Sequence, residues 1–176
     1  FAEEVPVIGD SKGLDFDGVN DRVVTTYTRQ SSNSFTLEAW IKPTLSINTR
    51  IISNWSGAGS IVDGTILLDT YDATSPGTSL RLLIGGTSFA WSNHVESNCL
   101  TLNAWNHIAV VFNSGTVLFY VDGVQVHTST SAITSVPTAP AAFHIAEDNP
   151  LGSSAEYFAG QMDEIRFWTT ARSAIE

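Results

Sequence analysis

Apolar and polar residues alternate with a period of two through most of this chain, the spacing of strands with one buried face. The cleanest case is Phe35-Thr-Leu-Glu-Ala-Trp-Ile-Lys42, in which Phe35, Leu37, Ala39 and Ile41 share one face and the run stops at Pro43. The other face, Glu38, Trp40 and Lys42, is half polar and suits either a ligand face or a second packed face. Shorter strands are predicted at 14–17, 22–26, 50–55, 65–71, 80–84, 87–91 and 142–146, with a polar loop at 92–98. Segments 105–112 and 116–121 are almost continuously apolar, the pattern of central strands covered on both faces. Asp122-Gly123 then predicts a type I′ hairpin, because both central positions of that turn need positive φ. Residues 128–140 are rich in Ser, Thr and Pro and read as a crossover loop; 147–156 read as a second long loop.

The last strand, Phe158-Ala-Gly-Gln-Met-Asp-Glu-Ile-Arg-Phe-Trp168, changes phase midway. Phe158, Gly160 and Met162 keep one face, Ile165 and Phe167 the other, which predicts a β-bulge at Asp163-Glu164. A bulge leaves backbone groups unpaired and re-aims side chains, so a carboxylate there is well set to meet a metal ion. The short acidic strand Gly13-Leu-Asp-Phe-Asp-Gly18 is expected to pair with this one and join the two ends of the fold. About eleven strands at this spacing make an all-β, two-sheet antiparallel sandwich over 13–176, behind a lead-in at 1–12. After it, 171–176 could form a single helical turn.

Composition narrows the function. A chain of 176 residues is one domain in length, and 20 Ser with 19 Thr favour strands and turns. The formal net charge of −10, with lysine only at positions 12 and 42, argues against nucleic acid or an anionic membrane as partner. Cys99 is the sole cysteine, so no intrachain disulfide forms, and it reads as a small buried residue. No apolar run reaches the ~18–20 residues of a membrane-spanning helix. A start at Phe1 suits a mature form or a module of a longer protein.

Five pieces in order, namely 13–18 with Asp21, 35–43, Trp105-Asn-His-Ile-Ala109, Leu118-Phe-Tyr-Val-Asp-Gly123 and 158–168, resemble the laminin-G-like, concanavalin-A-like jelly-roll modules. The resemblance implies a two-sheet jelly roll and a structural Ca²⁺, with Asp17, the Gly18 carbonyl, Asp21 and Asp163 as its ligands. Chemistry agrees, since Ca²⁺ takes several hard oxygens and carboxylates gathered at one corner repel one another without a cation. The alternative reading has Asp17 and Asp21 serving a solvated turn and Asp163 accepting backbone N–H groups at the bulge.

Catalysis by a jelly-roll hydrolase calls for paired carboxylates on one strand, and no Glu-x-Asp-x-x-Glu pattern occurs. His94, His107, His127 and His144 are scattered, so the chain reads as non-catalytic. Sugar binding uses aromatic platforms with planar polar groups. Trp40, Trp105 and Trp168 fall in core motifs of the resembling family and read as packing residues. Trp55 and Trp91, at strand ends, are the ligand candidates, with Tyr71, Asp72, His94, Glu147, Asp148 and Asn149. The Asn54-Trp-Ser56 triplet matches an N-glycosylation acceptor.

The expectation is a secreted or cell-surface, Ca²⁺-stabilised recognition module, flanked by other domains of a larger chain, whose partner is a glycan. A protein–protein adhesion domain binding an extracellular protein is the alternative, and a polysaccharide hydrolase or lyase the third.

Overall fold

The computed structural model describes residues 13–45, 48–55, 61–71, 78–148 and 156–173. These form two antiparallel six-stranded sheets and no helix. The first contains, in spatial order, β1 (Leu14–Asp17), β12 (Ala159–Trp168), β3 (Ser34–Pro43), β8 (Asn106–Asn113), β9 (Thr116–Val121) and β10 (Val124–Thr130). The second runs β2 (Val23–Val24), β11 (His144–Ile145), β4 (Thr49–Ser53), β5 (Ile66–Tyr71), β6 (Ser79–Gly85) and β7 (Trp91–Glu96).

Alternation decides which residues meet between the sheets. From the first sheet come Phe35, Leu37, Ala39, Ile41, Ile108, Val110, Phe112, Val117, Phe119 and Met162, all buried. The second sheet faces them with Ile51, Ile66, Leu68, Leu80, Leu82 and Ile84. Removing each such side chain from water contributes roughly 1.5–3 kcal/mol. Phe35 stacks on Phe112 and on Phe167, with ring centroids 5.3 and 5.8 Å apart, and Phe143 lies 5.3 Å from Phe167. Buried Arg29 ties the crossover down by donating to the carbonyls of Gln30, Val136 and Pro137.

The expected pairing of the chain's two acidic strands is present, with Leu14 opposite Met162 and Asp17 opposite Ala159. The bulge is present too: Asp163 faces Trp40 but Arg166 faces Glu38, and Glu164 takes φ of 52°. Asp122 and Gly123, at φ 51° and 77°, make the predicted hairpin. Gly160 sits opposite Pro43 at φ 134°, where a Cβ would come 2.1 Å from the Lys42 carbonyl oxygen.

Several expectations change. The strand predicted at 87–91 is a turn, with Ser88 and Phe89 at positive φ, and the supposed loop after it is β7. Ser92, His94 and Glu96 are the inward residues of β7, so this edge strand carries no apolar alternation to read. Strands β8 and β9 are covered on one face only; their outer residues His107, Ala109, Leu118 and Tyr120 are half-buried. β10 extends to Thr130, into the segment read as crossover, and residues 171–173 form no helix. The lead-in at 1–12 and residues 174–176 lie outside the described residues.

Candidate functional site

On the outer face of the second sheet, three charged residues stand abreast across three strands. Register sets Arg50 of β4 opposite Asp69 of β5, and Asp69 opposite Arg81 of β6. Their neighbours Ile51, Leu68, Leu80 and Leu82 point into the core, so strict alternation turns the charges outward. Two of them are nevertheless buried, Asp69 at 0% and Arg50 at 5% exposed, and Arg81 is partly buried.

Burying charge is costly unless it is paired. Arg81 grips Asp69 with both arms of its fork, Nε donating to Oδ1 at 2.9 Å and Nη2 to Oδ2. Arg50 Nη1 donates to Asp69 Oδ2 at 2.5 Å, its Nε to Asp148 Oδ1 at 2.7 Å, and Nη1 also pairs with Glu156. Tyr71, two residues beyond Asp69 on the same face, lies with its ring 3.9 Å beneath the Arg81 guanidinium. Desolvation pushes the Asp69 carboxyl up to about 6 against the pull of both arginines. Burial likewise raises Glu156, opposed by Arg50. For Arg50, burial favours proton loss, but Asp69, Asp148 and Glu156 together outweigh it and raise the guanidinium. One acceptor in this cluster is left over: Asp148 Oδ2 is buried without a hydrogen-bond partner.

Of the residues singled out from the sequence, Tyr71 and Asp148 come together here. Asp72 and Asn149 lie outside the described residues. Glu147 turns away from its neighbour Asp148 and is held by Arg22 Nε at 3.1 Å and His144 Nδ1 at 2.9 Å. Trp55 is half-buried just past the end of β4, five residues from Arg50, its backbone N–H donating to Ser53 Oγ. Trp91, 59% exposed, stands on the outer face of β7 opposite Gly85. His94 is not on that face. It points inward at the seam between β7 and β10, where its Nδ1 meets Ser129 Oγ at 2.7 Å and its Nε2 meets Ser92 Oγ at 2.6 Å. Ser129 Oγ also lies 2.9 Å from His127 Nε2, and His127 Nδ1 lies 3.0 Å from Glu96.

The expected calcium donors do not gather. Asp17 Oδ1 accepts the Val19 N–H at 2.8 Å and the Asn20 N–H at 3.3 Å, and Asp21 Oδ2 accepts the Asp17 N–H at 3.0 Å, which makes Asp17, Gly18 and Asp21 one turn. Asp163 belongs to the opposite end of β1: its Cβ would lie 3.8 Å from a Cβ on Gly13. Four strand residues separate the two ends, about 13 Å. Asp163 Oδ1 instead accepts the Glu164 N–H at 2.8 Å and closes the bulge. Among the described residues, no three His, Cys, Asp or Glu side chains converge on a point that could hold a metal ion. The four expected donors, as the register sets them, do not fit one cation.

Other readings are revised by burial. Trp40 and Trp168 pack on the outer face of the first sheet and not in the core: Trp40 lies 5.1 Å from the His107 ring, and Trp168 Nε1 donates to Glu38 at 2.9 Å beneath the Arg172 guanidinium. The Asn54 side chain is wholly buried, its Oδ1 accepting the Ile66 N–H and its Nδ2 donating to Gly64, so the Asn54 triplet is closed to glycosylation in the folded protein. Cys99 is partly buried, and burial pushes its thiol up to about 11.

A laminin-G family model, described as the concanavalin A-like lectin/glucanases superfamily, matches residues 17–176. The chain belongs to that family. A search of curated proteins by sequence finds no match. Among solved structures, this superfamily member is similar to a Bacteroides ovatus protein described as carbohydrate-binding, at 23% identity and TM-score 0.70 over 93% of this chain and 44% of that one. It is also similar to the CBM40 of a Ruminococcus gnavus sialidase bound to α2,3-sialyllactose, at 9% identity and TM-score 0.68, over 92% of this chain and 92% of that one. Domains LG4-5 of the mouse laminin α1 chain match at 15% identity and TM-score 0.65, over 92% of this chain and 44% of that one. These likenesses establish the two-sheet jelly roll.

Arg50, Asp69 and Arg81 were not among the sequence candidates. A signal for them exists: each is a charge inside an otherwise apolar strand, as in Leu80-Arg-Leu-Leu-Ile84 and Ile66-Leu-Leu-Asp69. Charges in such runs must find one another once buried.

Proposed function

We propose that this chain is a non-catalytic recognition module that binds glycan on the outer face of β4, β5 and β6. The observation that carries this reading is the buried Arg50–Asp69–Arg81 row with the unmet Asp148 oxygen beside it. A fold gains little from burying Arg50, Asp69 and Asp148 with two partly buried partners where apolar residues would pack as well, so their presence together supports a role in recognition. Two of the similar folds support a sugar as ligand, through what they are described as binding. A non-catalytic role is supported by the occupation of Asp69, both of whose oxygens are held by arginine. The chain spans less than half of the Bacteroides ovatus protein, which supports a place among flanking domains of a larger chain.

Titration calorimetry against neutral and acidic glycans tests the proposal. At least one glycan binds saturably, and Arg81→Ala and Glu156→Gln each weaken it tenfold or more while the unfolding midpoint of Glu156→Gln stays near the parent. Binding that both variants leave intact would move the site elsewhere, and an extracellular protein as sole ligand would favour the adhesion reading.

A further inference from the structure

The charge count on this face selects among sugars. Resting on the reading above, we propose that the ligand is an uncharged oligosaccharide, held through its hydroxyl hydrogens by carboxylate oxygens, and that uronic and sialic acids are excluded.

Three carboxylates, Asp69, Asp148 and Glu156, share two guanidinium groups, Arg50 and Arg81, so the cluster carries an excess negative charge. A sugar carboxylate needs a guanidinium free to take it in two-point fashion. Neither is free: Arg81 spends its fork on Asp69 and its face on Tyr71, and Arg50 is shared among three acids. An acidic sugar would enter beside that excess charge, in a region where burial weakens screening. What the face lacks is donors. Asp148, only 4% exposed, has an oxygen with no partner, and Glu156 shows 29% of its side chain to solvent. Sugar hydroxyls supply such donors, and hydrogen bonds to charged acceptors are the stronger kind.

Length follows from the same register. Arg81 pairs with Val95, Leu83 with Asn93 and Gly85 with Trp91, all directed outward. Exposed Trp91 thus stands four strand residues and one strand away from Arg81, about 14 Å. An indole at that distance offers a stacking platform for a second sugar of the same chain. Tyr71 cannot serve, because Arg81 covers its ring.

The experiment compares mannan, xylan and β-glucan oligosaccharides with oligogalacturonate and sialyllactose, in 20 mM and 500 mM NaCl, with and without EDTA. Expected is binding of a neutral oligosaccharide that changes less than threefold with salt and not at all with EDTA. Asp148→Asn weakens it tenfold or more; Glu156→Gln does the same if Asp148→Asn fails to fold. Trp91→Ala weakens the oligosaccharide more than its monosaccharide. Tighter, salt-sensitive binding of an acidic sugar overturns the inference and leaves glycan binding standing. Loss of binding in EDTA overturns it too, since the spare Asp148 oxygen would then serve a cation. If no glycan binds at all, the proposed function falls with it.

Discussion

The carboxylate of Asp163 accepts the backbone N–H of Glu164, 2.8 Å away, and Glu164 is the residue that takes positive φ at the bulge of β12. One side chain therefore satisfies the donor that the bulge removes from the ladder. Asp163→Ala leaves that N–H to water and is expected to cost about 1 kcal/mol. The loss should be the same in Ca²⁺ and in EDTA when followed by thermal unfolding. A Ca²⁺-dependent rise in the parent that disappears in the variant would restore the metal reading for Asp163.

Glu164 itself sits where L side chains are strained. Glu164→Gly is expected to keep or raise stability by up to about 1 kcal/mol, although glycine loosens the unfolded chain. Urea titration reads the difference. A loss above 1 kcal/mol would mean that the exposed pairing of Glu164 with Arg166 matters more than the backbone.

The Asp69 carboxyl titrates near 6 in the folded protein, against 3.8 as its ordinary value. Between about pH 4 and 6 the folded state thus holds a proton that the unfolded state has released. Its contribution to stability is full below pH 4 and declines as pH rises through 6. Denaturant titrations of Asp69→Asn and the parent from pH 4 to 7.5 should show this slope in the parent alone. Parallel curves would refute it.

His94 works with the opposite sign. Burial first, and His127 second, hold its pKa below the ordinary 6.5. The unfolded chain takes up the proton more readily, so this contribution is present above pH 6.5 and is lost as pH falls through the folded pKa. His94→Asn should flatten that acid limb. A limb unchanged in the variant would assign it to other groups.

Arg29 is buried against three carbonyls of its own and the crossover segment. Arg29→Met strands those acceptors and is expected to cost 2–4 kcal/mol, by the usual penalty of about 1–3 kcal/mol for an unmet buried group. Chemical denaturation measures it. A loss below 1 kcal/mol would show that water can replace the guanidinium.

Residue alternation carried most of the fold. The faces of β3, the hairpin at Asp122-Gly123, the pairing of β1 with β12 and the bulge could all be read, because each rests on a local rule. β7 could not, since Ser92 and His94 point inward and His94 meets Ser129 of β10, a partner 35 residues away. The candidate site was half legible for a similar reason. Tyr71 and Asp148 stood out as polar residues near loops, whereas Arg50, Asp69 and Arg81 are joined only by the register of three strands. The acidic positions expected to share a cation are likewise a matter of register: the motifs are present, and the β1–β12 pairing sets Asp17 and Asp163 at opposite ends of one strand.

That same pairing has a mechanical side. Leu14 lies against Met162, and the chain continues past Met162 in the direction from which it arrives at Leu14. Tension applied through the polypeptide on either side of the sandwich would therefore pull both strands from one end of their shared ladder. Its hydrogen bonds would be loaded one after another and not all at once, so β1 should peel away at low force while the core behind it still holds.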